Sequence, residues 1–438
     1  MKVVKYIVTL IGLILFFNIS LYMVSLIPSD FLIDNVKESV LQIEKEGEQF
    51  EICGKYITLD NFTELIMLNE IVSIDYTDPL NSYLKVRKNF NKDITKYELK
   101  DTNHELLSYG QNKIGKDDTP IADDSYSTLT ELINFLDNKV TISVDYARYY
   151  HGYLVYLRPL FILFNIGELR WIMFFIFLSL LIALAYNAYK KLGLKYMFAI
   201  CFSILAFEYL FIPFSVDFSS TFFVMMLSSI LVLLFAEKIN WSSMKYICFI
   251  VGAITCFIDF LTVPILTLTL PLLIYVLYCT KNRKHDNKIL FKDIFISCVM
   301  WSISYTITWI SKWIIYDIFM EDSLIGTVIE QLKFRSLSEP YMFLECFYNI
   351  VIHIALIMII YIVSTFFFGK NVKKAQFVLN NKWCVIFVGC VPLLFDMIKF
   401  NHFINHSFFT YRDFIPLFAV IWLLYFDYLG KNASKRKK

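Results

Sequence analysis

Charge is scarce in this sequence, and so are glycine and proline. Charged residues fill 18% of the 438 positions, beside 13 Gly and 10 Pro, whereas ordinary soluble domains carry about a quarter charged residues. That shortage excludes an ordinary water-soluble globular domain. The net charge of +2 names no partner, and no nucleic-acid module is visible. No GxxxxGK[ST] loop occurs, so no P-loop ATPase is encoded; HExxH and GxSxG are missing, so neither a zincin nor a nucleophile-elbow hydrolase is indicated. Of the nine cysteines only Cys53 lies in the large non-membrane segment, and no CxxC pair occurs. An internal disulfide there and a cysteine metal site are thereby excluded. Internal repeats and low-complexity segments are also missing.

What remains is apolar. Hydrophobic residues make up 57% and aromatics 18%, and mean hydropathy is +0.56. The expectation is an all-α polytopic membrane protein of about ten transmembrane helices, with a mixed extracytoplasmic region between the first and second spans. The spans are read at 5–27, 167–188, 196–214, 218–236, 245–260, 262–279, 293–314, 346–368, 383–399 and 413–429. Residues 1–27 form the first helix, 28–166 the extracytoplasmic region, 167–429 a nine-helix bundle and 430–438 a basic tail. The first run is longer than a signal-peptide core and no small-residue cleavage site follows it, which favours a retained anchor. Lys-rich stretches at 190–195, 237–245, 281–292, 369–382 and the tail all fall on one side if the N-terminus is cytoplasmic. The positive-inside rule then places both termini in the cytoplasm of a cell-membrane protein.

Within 28–166, DNVKESVLQIEKE reads as an amphipathic helix and QFEICGKYITL as strand-like. TLDNFTELIMLNEIV reads as a helix capped by Thr58 or Asp60, with Phe62, Leu65, Ile66 and Leu68 at helical spacing. NKIGKDDTPIADDSYST reads as a loop whose acidic pairs, Asp117-Asp118 and Asp123-Asp124, are solvated.

Ionisable residues concentrate at the outer ends of spans: Glu208, Asp217, Asp259, Lys312, Asp396, Lys399, His402, His406 and Arg412. Such groups are costly in lipid and often functional, and their one-sidedness points to a site at the outer face. The segment DYARYYHGYLVYLRPLF precedes the second span. On a helix, Asp145, Arg148, His151 and Arg158 would share an arc of about 140°, opposite Tyr146, Tyr149, Tyr150 and Tyr153. That reads as an interfacial helix, ended or kinked by Pro159. Its cations either anchor the helix or bind a phosphate, for which the arginine fork is suited. KFNHFINHSFFTYRDF repeats the composition near the C-terminus, with His406 and Arg412. Candidate acids or bases are Asp60, Asp145, Asp217 and Asp259. Asp60 is also a candidate N-cap, and Asp259 a candidate turn former ahead of Pro264.

The layout, with LDNFTELIMLN and DYARYYHGYLVYLRPL in the first outer loop and HSFFTYRDF near the C-terminus, resembles the C-type (GT-C) integral-membrane glycosyltransferases. The resemblance implies an inverting transfer from a polyprenyl-phosphate-linked sugar at the outer face. It implies Asp60 or Asp145 as the base, and Arg148, His151, Arg158, His406 and Arg412 as candidate phosphate-binding groups. Membrane lipid and a lipid-linked sugar donor are the expected partners. No cofactor or metal site is expected, with a divalent cation left open. Competing readings are a transporter or flippase of lipid-linked saccharides and a non-catalytic membrane scaffold.

Overall fold

A computed structural model describes residues 2–47, 50–52, 55–57, 60–90, 128–137, 142–283, 286–320, 323–326, 328–329 and 379–435. In chain order the elements are α1 (Lys2–Ser25), α2 (Ile33–Glu46), the hairpin β1 (Phe50–Ile52) and β2 (Lys55–Ile57), α3 (Asn61–Val72) and α4 (Pro79–Lys85). There follow β3 (Arg87–Phe90), α5 (Thr128–Leu136), β4 (Ile142–Asp145) and α6 (Leu154–Phe161). The bundle is α7 (Ile166–Lys191), α8 (Leu194–Ala206), α9 (Val216–Leu234), α10 (Trp241–Ile258), α11 (Leu266–Asn282), α12 (Asn287–Phe319), α13 (Lys382–Ile398), the short α14 (Phe400–Asn405) and α15 (Ser407–Thr410), and α16 (Ile415–Lys435). The strands form two antiparallel pairs, β1 with β2 and β3 with β4, the latter in the register Arg87 opposite Asp145.

The protein is a predominantly helical, membrane-embedded chain. Among the described residues six helical stretches are long and apolar enough to cross a membrane: Val3–Ser25, Ile166–Lys191, Val216–Leu234, Trp241–Ile258, Asn287–Phe319 and Ser407–Tyr428. The stretch read as a span at 196–214 is broken. Helix α8 stops after 13 residues, Glu208 takes a left-handed φ of 61°, and a 3-10 turn carries Tyr209–Phe214. Helices α11 and α13 have 17 residues each. The 346–368 run, the 112–127 part of the expected loop and Thr58 lie outside the described residues.

Helix α11 explains the packing order. It is apolar on every side, and every residue from Leu266 to Thr280 is buried. A helix without a polar face belongs at the centre of a bundle, and α9, α10, α12, α13 and α16 pack around it. Helix α1 lies at the periphery, with Val4, Ile7, Val8, Ile11, Leu15 and Phe16 exposed. The Lys-rich loops gather at one end, here the lower end. There Lys281 donates to the carbonyls of Lys191 (3.4 Å) and Leu192 (2.7 Å), and Arg283 to those of Ala236 (3.2 Å) and Ile239 (3.3 Å). Asn381 meets Asn287 at 2.6 Å.

At the opposite, upper end, α2 to α6 build a second core. Val36, Val40, Leu68, Ile71, Leu84, Leu132, Tyr150 and Leu157 join Phe17 of α1 and Phe257 of α10, whose rings stack 4.1 Å apart. Helix α12, about 50 Å long at 1.5 Å per residue, carries Trp309, Trp313 and Tyr316 up into this cap.

The 145–158 stretch departs from the expected interfacial helix. Asp145 ends β4, residues 146–153 are irregular, and helix begins only at Leu154. Pro159 lies inside α6, which runs on to Phe161. Tertiary bonds override the helical period. Tyr146 N–H donates to the Lys85 carbonyl (2.9 Å), Gly152 N–H donates to the Phe257 carbonyl (2.8 Å), and both Trp309 and Trp313 donate to the Arg148 carbonyl (2.7 and 3.1 Å). His151 sits in the left-handed region at φ 55°, and a Cβ on Gly152 would collide with the Phe257 backbone and ring. Tyr149, Tyr150 and Tyr153 are buried rather than set in headgroups.

Arg158 is also not a ligand-facing cation. It is 0% exposed and donates to three carbonyls: Val24 (3.1 Å), Ile27 and Ile71. Val24 and Ile71 lie in the last turns of α1 and α3, and Ile27 just beyond α1, where carbonyls without intrahelical donors need partners once water is gone. Arg158→Met should therefore leave buried acceptors unmet and cost at least about 2 kcal/mol. Arg158→Lys should recover only part, since one ammonium cannot reproduce the planar fork. Thermal unfolding in detergent reads both, and equal stability of all three proteins would remove this role.

Candidate functional site

The upper end holds three polar groups that contact one another through α6 and the 257–262 turn. The first surrounds residues 145–153. Asp145 pairs with Lys85 (3.4 Å) and accepts from the Tyr316 hydroxyl (3.1 Å). Arg148 lies over the rings of Tyr146 (4.9 Å) and Tyr149 (5.3 Å). Among the described residues it has no acidic partner, and its Nε makes no hydrogen bond. His151, 2% exposed, bridges two neighbours, with Nε2 2.8 Å from the Tyr146 carbonyl and Nδ1 2.8 Å from the Tyr153 hydroxyl. Glu70 completes the group. It accepts from the Tyr153 hydroxyl and stands 3.2 Å from His151 Nδ1. Burial and the Glu70 carboxylate push the Tyr153 phenol well above its usual range, so it stays a donor. Glu70 was not singled out from the sequence; its only signal is a charge inside the apolar run LIMLNEIV.

The second group joins α3 to the start of α9. Asp60 is the N-cap of α3, accepting from Thr63 N–H (3.0 Å) and Oγ1 (2.7 Å), and its own N–H donates to Ser215 Oγ (3.0 Å). Burial pushes its carboxyl above the usual value, against those two bonds. Glu64 accepts from Val216 N–H (2.6 Å) and from Arg170, which also holds Glu46 (2.6 Å) and Asn61 (3.0 Å). Asp217, in the first turn of α9, is 2% exposed rather than solvated in a turn. Tyr156 and Ser220 share a hydroxyl bond of 2.5 Å beside it. Asp259, by contrast, is a turn former. Its oxygens accept from Leu261 N–H (2.9 Å), Thr262 N–H (3.0 Å), Thr221 Oγ1 (3.0 Å) and Thr262 Oγ1.

The third group comes from the C-terminal stretch. Arg412, 3% exposed, pairs with Glu208 (3.4 Å), which also accepts from Tyr411 (2.8 Å). The Arg412 guanidinium covers Tyr411 and Phe218. Lys399 lies between Asp396 (3.5 Å) and Asp413 (3.4 Å). His406 packs on His402 (4.5 Å) and Phe409 (5.3 Å), and His402 Nε2 meets the Leu261 carbonyl at 2.8 Å.

The structure thus brings Asp145, Arg148 and His151 together, while His406, on His402 and Phe409, and Arg412, on Glu208, keep separate partners. The two sets meet the 257–262 turn separately, through Tyr149 and Gly152 on one hand and His402 on the other. Arg158 and Asp145 are occupied elsewhere, and Arg412 already has a carboxylate. Among the described residues no three His, Cys, Asp or Glu side chains are grouped to hold a metal ion. Comparison of the chain with protein-family models, with curated proteins and with solved structures finds no match.

Two measurements check this geometry. Arg170→Met should strand Glu64 in the interior and cost about 3–5 kcal/mol, and adding Glu64→Gln should recover much of it; purely additive losses would contradict the pairing. Asp60→Asn keeps an N-cap but removes the raised carboxyl. A raised acid contributes stability below its unfolded value and loses it as pH climbs through the folded one. The Asn variant should therefore gain on the wild type as pH rises from about 4 to about 8. A gap that widens toward acid would reverse the sign.

Proposed function

We propose that this protein is an integral-membrane glycosyltransferase of the C type, moving a sugar from a polyprenyl-phosphate donor to an acceptor at the extracytoplasmic face of the cell membrane. In this reading the chain crosses ten times with both termini in the cytoplasm, and the upper end faces out. The gathering of the Lys-rich loops at the lower end supports that orientation under the positive-inside rule.

The observation that carries the reading is chemical. Arg148 is a guanidinium seated on two tyrosines without an acidic partner among the described residues, and it shares its end of the bundle with the buried carboxylates around Asp60 and Asp217. A leaving phosphate needs the first and an acceptor hydroxyl needs the second. The Asp60 group fits the base better than Asp145, whose carboxylate is held by Lys85 and Tyr316. A transporter would instead require polar groups along the middle of the bundle. Thr255 and Ser304 there are fully buried and bonded to carbonyls of their own helices.

Purified protein in detergent, given polyprenyl-phosphate sugars carrying a radiolabel, should transfer label to a hydroxyl acceptor. Arg148→Ala should lower the rate about a hundredfold without changing thermal unfolding. A wild type that transfers nothing from any donor, or an Arg148→Ala protein at full rate, would count against the proposal.

A further inference from the structure

Four carboxylates were candidates for the base, and three are spent. Asp60 has its oxygens on Thr63, Asp145 is held by Lys85 and Tyr316, and Asp259 is filled by its own turn. Asp217 differs. It is 2% exposed, and among the described residues no side chain donates to either oxygen; only the amides of its own helix turn, at Asp217 and Phe218, face it. Isolated buried charge is costly and normally finds a cation or a donor. Among the described residues no cation is paired with Asp217. Its charged neighbours are Asp60 and Glu64, Arg170 is committed to Glu64, Glu46 and Asn61, and Arg412, over the adjacent Phe218 ring, to Glu208. An acid left this way in a packed protein is kept for something that arrives.

The surroundings describe what arrives. The start of α9 contributes Ser215, whose hydroxyl is bonded to Asp60 N–H, and Ser220, bonded to Tyr156. Asp60 and Tyr156, which flank Asp217, are both partly exposed. A carboxylate with free lone pairs, ringed by hydroxyls and by two further acids, receives a proton donor and repels a phosphate. It is suited to an alcohol, and the phosphate end of a donor belongs with Arg148.

We propose that Asp217 is the general base, which takes the proton from a hydroxyl of the acceptor; this rests on the glycosyl-transfer reading above. In the step, the acceptor O–H bond breaks and its proton passes to a carboxylate oxygen of Asp217. The acceptor oxygen forms a bond to the sugar C1. The bond from C1 to the phosphate oxygen breaks, and its electron pair leaves with polyprenyl phosphate. Tyr156, through its bond to Ser220, is a positioning residue for the incoming hydroxyl.

The test uses the full chain in detergent with a radiolabelled polyprenyl-phosphate sugar and a hydroxyl acceptor. Asp217→Asn should lower kcat about a thousandfold with the donor KM within about threefold, and should unfold no earlier than wild type, because an unsatisfied charge has been removed. Asp217→Glu should keep part of the rate, and the acid limb of the wild-type pH–rate profile should be missing in Asp217→Asn. A wild type that transfers while Asp217→Asn stays within about threefold of its rate overturns this assignment alone. A wild type that transfers no sugar from any donor overturns the glycosyl-transfer reading, and the base assignment with it.

Discussion

Helix ends buried away from water are the constraint from which the rest of this structure follows. Each helix leaves C-terminal carbonyls without intrahelical donors, and the short, interrupted helices here multiply such ends. The chain answers them with basic side chains. Arg158 collects carbonyls at the ends of α1 and α3. Lys312 donates to Tyr83 (3.2 Å) and Leu84 (2.8 Å) at the end of α4. Arg283 and Lys281 close α9 and α7 at the lower end. A cation placed there also meets the negative end of the helix dipole.

This use of cations sorts the polar residues of the upper end. Arg158, Lys312 and Arg170 are tied to protein partners and hold the cap on the bundle. Arg148 rests on Tyr146 and Tyr149, and Asp217 has no cation paired with it among the described residues. They stand in different groups, separated by α6 and the 257–262 turn.

The cap itself rests on backbone approach. Residues 146–153 lie where the Phe257 carbonyl, two tryptophan indoles of α12 and Glu70 of α3 meet. The left-handed His151 is tolerated because its ring is fixed from both nitrogens. Strain of this kind persists only where the surroundings over-determine it.

Local signals were legible in the sequence. Apolar runs announce membrane helices because a span must be apolar over its own length. Asp60 ahead of Phe62, Leu65 and Leu68 announces an N-cap because the capping bond closes within three residues. The amphipathic DNVKESVLQIEKE lies within α2, and QFEICGKYITL holds the β1–β2 hairpin. Long-range choices were not legible. The helical period of 145–158 is real as a pattern, yet bonds to residues more than a hundred positions away replace it with an irregular turn. Arg158 and Arg148 look alike ten residues apart, and only the folded chain surrounds one with helix-end carbonyls and the other with tyrosines. Asp217 and Asp259 likewise both mark the start of a turn or helix. Tertiary structure gives one of them Thr221, Thr262 and two amides and gives the other no side-chain donor among the described residues, because the number of donors facing a carboxylate depends on which segments pack against it.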